Sequence, residues 1–199
     1  MSAVAPRVLG IAGSPRRHGN SDRLLDECLA AARAAGAQTD LLVVSGAGIA
    51  PCRGCNLCSR DGKCVVRDGM QDVYPRLDTA DAIVIASPVY FATVPAVLKA
   101  LYDRCQPYWA RRYILGQPIV RRRPGALLLV GGGGDPYGHE CASKTTRSVF
   151  AVLGVDHTAE LAIRADSPSD AERLPDALER ARAIGAGLVR DASERLGGV

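Results

Sequence analysis

Residues 7–21 read RVLGIAGSPRRHGNS, and the fold is decided by how that stretch is parsed. Arg7 to Ser14 is a short apolar run that stops in Gly-Ser-Pro, the form of a parallel strand buried on both faces and ending in a loop. The loop Gly13–Gly19 leads to Asn20, which reads as a helix N-cap. After it Leu24, Leu25, Cys28, Leu29 and Ala32 recur at helical spacing, and Gly36 supplies the stop. The stretch is therefore strand, loop, helix.

The same unit repeats along the chain. Further strands are expected at 39–45, 81–87, 125–130 and 157–164, the last short and polar enough for a sheet edge. Helices are expected at 70–77, after Thr93 as cap with Pro95 in the first turn, and at about 143–153. A final helix opens on a capping box, Ser169 with Glu172, and puts Leu174, Leu178, Ala181, Ile184 and Leu188 on one face. Residues 107–123, with Trp109, Tyr113 and several arginines, read as an irregular excursion from the core. Strand and helix alternate five times, which predicts an α/β domain over 1–199: a doubly wound parallel sheet with helices on both faces.

Composition narrows the function. A net charge of +4 and an aromatic fraction of 5% give neither the charge nor the stacking platforms of a nucleic-acid surface. No apolar run reaches the roughly eighteen residues that a membrane helix needs, and Val8–Gly13 is too short for a signal peptide. The expectation is a soluble, cytoplasmic protein with no membrane contact. In that reducing compartment clustered cysteines serve metal binding or catalysis more often than disulfides.

Such a cluster is present. Residues 51–64 read PCRGCNLCSRDGKC, placing Cys52, Cys55, Cys58 and Cys64 in a C-x2-C-x2-C-x5-C pattern. Free cysteines are usually buried singly, yet these alternate with Arg53, Asn56, Ser59, Arg60, Asp61 and Lys63. Four soft ligands on one tight loop suit an iron–sulfur cluster or tetrahedral zinc, with free redox-active thiols the third reading. Structural disulfides fit poorly with seven cysteines, an odd number.

In an open parallel sheet, ligands bind beyond the carboxyl ends of the strands. Loops 13–21, 88–92 and 131–138 leave those ends, and the cysteine loop leaves the second strand; if all four converge they form one site. A helix N-terminus with Ser14, Arg16, Asn20 and Ser21 is equipped to hold a phosphate; the alternative reading is a loop whose Asn20 merely caps the helix. The loop is neither G-x-G-x-x-G nor a Walker A sequence. Pro88, Val89, Tyr90 and Phe91 offer a rigid border for a planar ring or a lid on the core. Gly131, Gly132 and Gly133 let backbone approach a ligand, or simply turn.

Taken together, G-S-P-R-x-x-G-N-S at 13–21, S-P-V-Y-F at 87–91 and L-K-A-L-Y-D-R at 98–104 resemble the flavodoxin-like, NADPH-dependent FMN reductase superfamily. With the cysteine motif, the chain is similar to that superfamily's iron–sulfur flavoprotein branch. The resemblance covers residues 7 to about 134. It implies strand order 2-1-3-4-5 and FMN at the switch point, its phosphate on Ser14, Arg16, Asn20 and Ser21. The ring would lie along Pro88, Val89, Tyr90 and Phe91, with Gly131, Gly132 and Gly133 near its polar edge. Cys52, Cys55, Cys58 and Cys64 would ligate a [4Fe-4S] cluster. No side chain is assigned a catalytic role.

The function so implied is electron exchange between FMN, the cluster and an external partner such as a ferredoxin, or NAD(P)H. The resemblance also implies a homodimer or homotetramer, for which 107–123 is the candidate contact. Arg53, Arg60 and Lys63 suit the docking of an acidic carrier and would raise the cluster's potential. The rival readings are an NAD(P)H-dependent FMN or quinone reductase without a cluster, and a zinc-stabilised binding or redox-sensing module.

Overall fold

The computed structural model describes residues 5–167 and 169–197. Five strands, β1 (Arg7–Ala12), β2 (Gln38–Val43), β3 (Ala82–Pro88), β4 (Arg123–Gly131) and β5 (Val155–Arg164), pair in parallel in the order β2-β1-β3-β4-β5. The flavodoxin-like order implied by the resemblance is thus the one observed. β1 lies inside the sheet, with Leu9 opposite Asp40 on one side and Ile83 on the other.

Period-two alternation along the strands divides the core in two. Val8, Ala12, Val84, Ala86, Ala126 and Leu128 face helices α1 (Asn20–Ala34) and α7 (Pro175–Gly197). Leu9, Ile11, Ile83, Ile85, Leu127 and Leu129 face the opposite layer. That layer holds α3 (Met70–Thr79), α4 (Ala96–Asp103), α5 (Gln106–Tyr113) and α6 (Glu140–Leu153). A four-residue helix, α2 (Cys58–Asp61), sits within the cysteine loop.

Several sequence expectations are corrected. β5 is the longest strand, with ten residues, rather than a short one. Residues 106–113 are helical: Pro107 stands in the first turn, where its missing N–H costs nothing, and Tyr108 is buried, donating its hydroxyl to Asp78. Only the remainder of 107–123 leading to β4 is irregular. Thr93 does not cap α4; it exchanges backbone hydrogen bonds with Tyr90, and Pro95 is the residue before the helix. The capping box also fails to form. Ser169 precedes a 3-10 turn at Asp170–Arg173 without a side-chain bond, because Asp170 instead accepts from the Asp166 and Ser167 amides.

The α1–α7 contact is close enough to require a glycine. A Cβ at Gly185 would lie 2.0 Å from the Cys28 carbonyl oxygen, and that obstacle is helix backbone that cannot rotate away. Gly185→Ala is expected to destabilise the fold by about 1–3 kcal/mol. Urea or thermal unfolding measures it, and an unchanged midpoint would contradict the packing described.

Candidate active site at the carboxyl edge of the sheet

The connection from β1 crosses one face of the sheet through α1, while β3 is reached along the other, so a crevice opens where the two part. Gly13 begins this crevice. Its amide continues the sheet by donating to Ala86, 2.8 Å away, and a Cβ there would meet Leu98 at 2.5 Å. Ser14 and Ser21 are buried hydroxyl residues beside it, and the Ser14 Oγ accepts from the Arg16 amide at 3.1 Å. Arg16, Arg17, His18, Ser21, Tyr90 and Asp166 are among the walls of a cavity of about 290 Å³.

Asn20 is the first residue of α1, not its cap, a position held by Gly19. Its side chain spans to the segment before α7: Nδ2 donates to the Ser167 carbonyl at 2.8 Å and Oδ1 accepts from the Ala171 amide at 3.0 Å. Asn20 therefore ties one wall of the crevice to another. Buried Asp22 organises the loop from below, accepting from the His18 amide at 2.8 Å and lying 3.5 Å from the Arg17 Nε. Sequence reading missed Asp22; an acidic residue in a first helical turn was the available signal.

A second cavity, of about 400 Å³, adjoins the first and shares Val89 and Gly132 with it. Gly131 and Gly133 line it together with Ile163, Arg164, Asp135 and His139. Gly132 is packed against Asp166, whose Oδ1 lies 2.1 Å from where a Cβ would stand, and its carbonyl accepts from the Arg164 Nε at 2.9 Å. Arg164, Asp166 and His139 were not predicted, since single charged residues at strand and helix ends carry no spacing pattern.

Pro88, Val89 and Tyr90 line the first cavity. Phe91 and Ala92 both have positive φ, 50° and 62°, in a tight turn closed by the Tyr90–Thr93 bridge. For non-glycine residues that conformation costs about 1–2 kcal/mol each. It throws Phe91 outward to 97% exposure on the rim of the second cavity.

The cysteine loop does not join this crevice. Cys52, Cys55, Cys58 and Cys64 all line one cavity of about 350 Å³, but its other walls are Val65, Val66, Asp103, Arg104, Gln106 and Pro107. It shares no lining residue with the crevice, so the expected convergence of four loops is corrected to three loops and a separate cysteine cavity. The reason is twofold: β2 is an edge strand, and the loop that follows it is drawn onto α4 and α5. Arg111 donates to the Gly62 carbonyl at 2.9 Å, and Arg104, fully buried, donates to Ala50, Val66 and Asp68.

Within the loop, Gly54, Asn56 and Gly62 take positive φ and fold the motif back on itself. The Cys52 Sγ accepts from the Gly54 amide at 3.5 Å. Burial, and then the neighbouring Cys64, Cys52 and Cys55, hold the Cys58 thiol above its ordinary range. Among the described residues no three His, Cys, Asp or Glu side chains close on a single metal-ion position. The quartet rims one cavity without meeting at a point.

Comparison with known proteins places these observations. The family model for NADPH-dependent FMN reductase matches residues 6–163. An iron-sulfur flavoprotein of Archaeoglobus fulgidus is 36% identical over 149 residues, covering 74% of this chain and 73% of that one. The iron-sulfur flavoprotein of Methanosarcina thermophila is 36% identical over 126 residues, 63% of each chain. The match thus spans less than two thirds of that relative's length. Among solved structures, the NAD(P)H:quinone oxidoreductase from Methanothermobacter marburgensis superposes with a TM-score of 0.67, covering 93% of this chain and 100% of that one, at 17% identity. At that identity the likeness is one of fold. No helix among the described residues is long and apolar enough to cross a membrane.

Asp68 links the cysteine loop to pH. Hydrogen bonds from Arg104 hold its carboxyl below the usual carboxylate range against the opposing effect of burial, and the Ala50 and Met70 amides add to them. A carboxyl with a lowered folded value stabilises the loop above about pH 4, its unfolded range, and loses that contribution as pH falls through the lower folded value. Amide protection factors at Ala50 and Met70, both of which donate to Asp68, taken relative to the intrinsic exchange rate at each pH, are expected to hold above about pH 4 and to fall as the carboxyl protonates below it. Pass-through with no change would remove Asp68 as the controlling group.

Proposed function

We propose, for a chain that belongs to the NADPH-dependent FMN reductase family, that it is an FMN-dependent oxidoreductase of the iron–sulfur flavoprotein kind. Its FMN would occupy the crevice, and Cys52, Cys55, Cys58 and Cys64 would hold a [4Fe-4S] cluster. The observation that carries the reading is a crevice of two joined chambers, one hydroxyl- and arginine-rich and one glycine-walled, on the same chain as a cavity rimmed by all four cysteines.

The crevice residues fit an FMN, and the four cysteines supply the thiolate donor set that a cluster requires. Ser14, Ser21, Arg16 and Arg17, with the first turn of α1, supply donors and positive charge for a phosphate. Asn20 holds the wall of that chamber through Ser167 and Ala171. Val89 and Tyr90 offer apolar surface for a flat ring, and the Gly131–Gly133 backbone leaves room for close approach. FMN supplies one- and two-electron chemistry and a cluster one-electron chemistry; the chain's part is to position them and exclude side reactions. The surrounding Arg53, Arg60 and Lys63 suit an acidic one-electron partner such as a ferredoxin. Exposed Trp109, Tyr113, Ile114 and Val120 support a contact between copies around 107–123.

A second reading, an NAD(P)H-dependent FMN or quinone reductase without a cluster, is favoured by the open quartet and by a second chamber open enough for a nicotinamide to approach. Anaerobic purification separates the two. The first predicts a brown protein with about four irons and about one FMN per chain; the second predicts a yellow, iron-free protein that NADPH or NADH bleaches unaided. Zinc in place of iron, with no flavin absorbance, would support the binding-module alternative instead.

Two substitutions probe the assignments independently. Cys58→Ala is expected to abolish stoichiometric iron loading while FMN content stays at the wild-type level, read by metal analysis and flavin release. Ser21→Ala removes a donor to the phosphate and is expected to weaken FMN binding on the order of 10-fold, read by fluorescence titration of the flavin-free protein; unaltered affinity would move the phosphate away from Ser21.

A further inference from the structure

Arg104 is the largest fully buried side chain of the molecule's described residues, and it pairs with a residue distant in sequence. Its Nη1 donates to the Asp68 Oδ2 at 2.6 Å and its Nη2 to the Oδ1 at 3.0 Å, a fork-to-fork pair. The same two nitrogens reach the Ala50 carbonyl at 2.9 Å and the Val66 carbonyl at 3.3 Å. Ala50 and Val66 are each two residues outside the cysteine motif, Ala50 before Cys52 and Val66 after Cys64. Asp68 completes the closure by accepting from the Ala50 amide at 2.9 Å. One guanidinium therefore joins both ends of the cysteine loop to each other and to the end of α4.

From this we infer that Arg104 is the positioning residue of the cysteine quartet, acting with Asp68 to close the loop before any group is loaded. Arg104 also lines the cysteine cavity, its charge lies beside Cys64, and its Nε–H is buried without a partner. A sulfur-rich anionic group held by the quartet is the kind of acceptor that such a donor lacks. Tyr74 fixes the arginine from behind by donating to its carbonyl at 2.8 Å. The role in loading rests on the proposed cluster, whereas the closure of the loop does not.

Arg104→Lys keeps the charge and loses the fork; Asp68→Asn keeps the shape and loses the carboxylate. In the metal-free, FMN-loaded protein, trypsin cuts after Arg53, Arg60, Lys63 and Arg67, all inside the clamped segment. Both variants are expected to be cut there on the order of 10-fold faster than wild type, with FMN content unchanged. Iron retention after reconstitution, measured against a competing chelator, is expected to fall on the order of 10-fold. Wild-type cleavage and iron retention in both variants would overturn the inference. Should wild type itself load no iron, the cluster reading fails and the tryptic comparison alone decides whether the clamp exists. Should Arg104→Lys lose FMN as well, the residue supports the whole fold, and Asp68→Asn with FMN retained then decides: wild-type cleavage in that variant refutes the clamp.

Discussion

Everything in this molecule depends on β1 being buried between two parallel neighbours whose connections leave on opposite faces. Parallel strands cannot be joined by a tight turn, so each crossover needs a helix, and right-handedness puts α1 on one side and the helices after β2 and β3 on the other. The crevice is the gap left by that parting. Because strand ends and helix N-termini gather there, backbone donors and small residues accumulate at one rim without needing any special sequence beyond Gly13, Ser14 and Ser21.

The second organising feature is the use of arginine to fasten loops to helices. Arg104 closes the cysteine loop, Arg111 holds its middle at Gly62, and Arg123 donates to the carbonyls of Leu77 and Ala80 at the end of α3 and of Leu153 at the end of α6. A planar group with several fixed donors satisfies helix-end carbonyls that would otherwise be buried unpaired. The basic composition thus has a structural share: Arg104 and Arg123 are buried and act as internal fasteners.

The crevice and the cysteine cavity are built on different principles. The crevice sits on rigid strand ends, with its walls cross-tied by Asn20 to the segment before α7. The cysteine loop has one four-residue helix and three positive-φ turns, so its shape is imposed from outside by α4 and α5. A loop with so little regular structure of its own retains a cavity only because side chains from another element hold its ends.

The alternation of strands and helices was legible from residues 7–21 and their repeats, because burial on both strand faces and helical spacing leave periodic traces; the order of the strands in the sheet leaves none and was implied only by the family resemblance. The cysteine motif was equally legible, since its spacing is local. What the chain's linear order did not disclose were contacts across long separations: Asn20 to Ala171 in place of a cap, Tyr108 of the 106–113 helix to Asp78, and Arg104 to Asp68. Each is a polar side chain choosing among partners far apart in sequence, and only the packed tertiary structure sets which one lies within hydrogen-bond reach. For the same reason local sequence determined that four sulfurs would share a loop, while the tertiary fold decided that the loop turns toward α4 and α5 and opens its own cavity apart from the crevice.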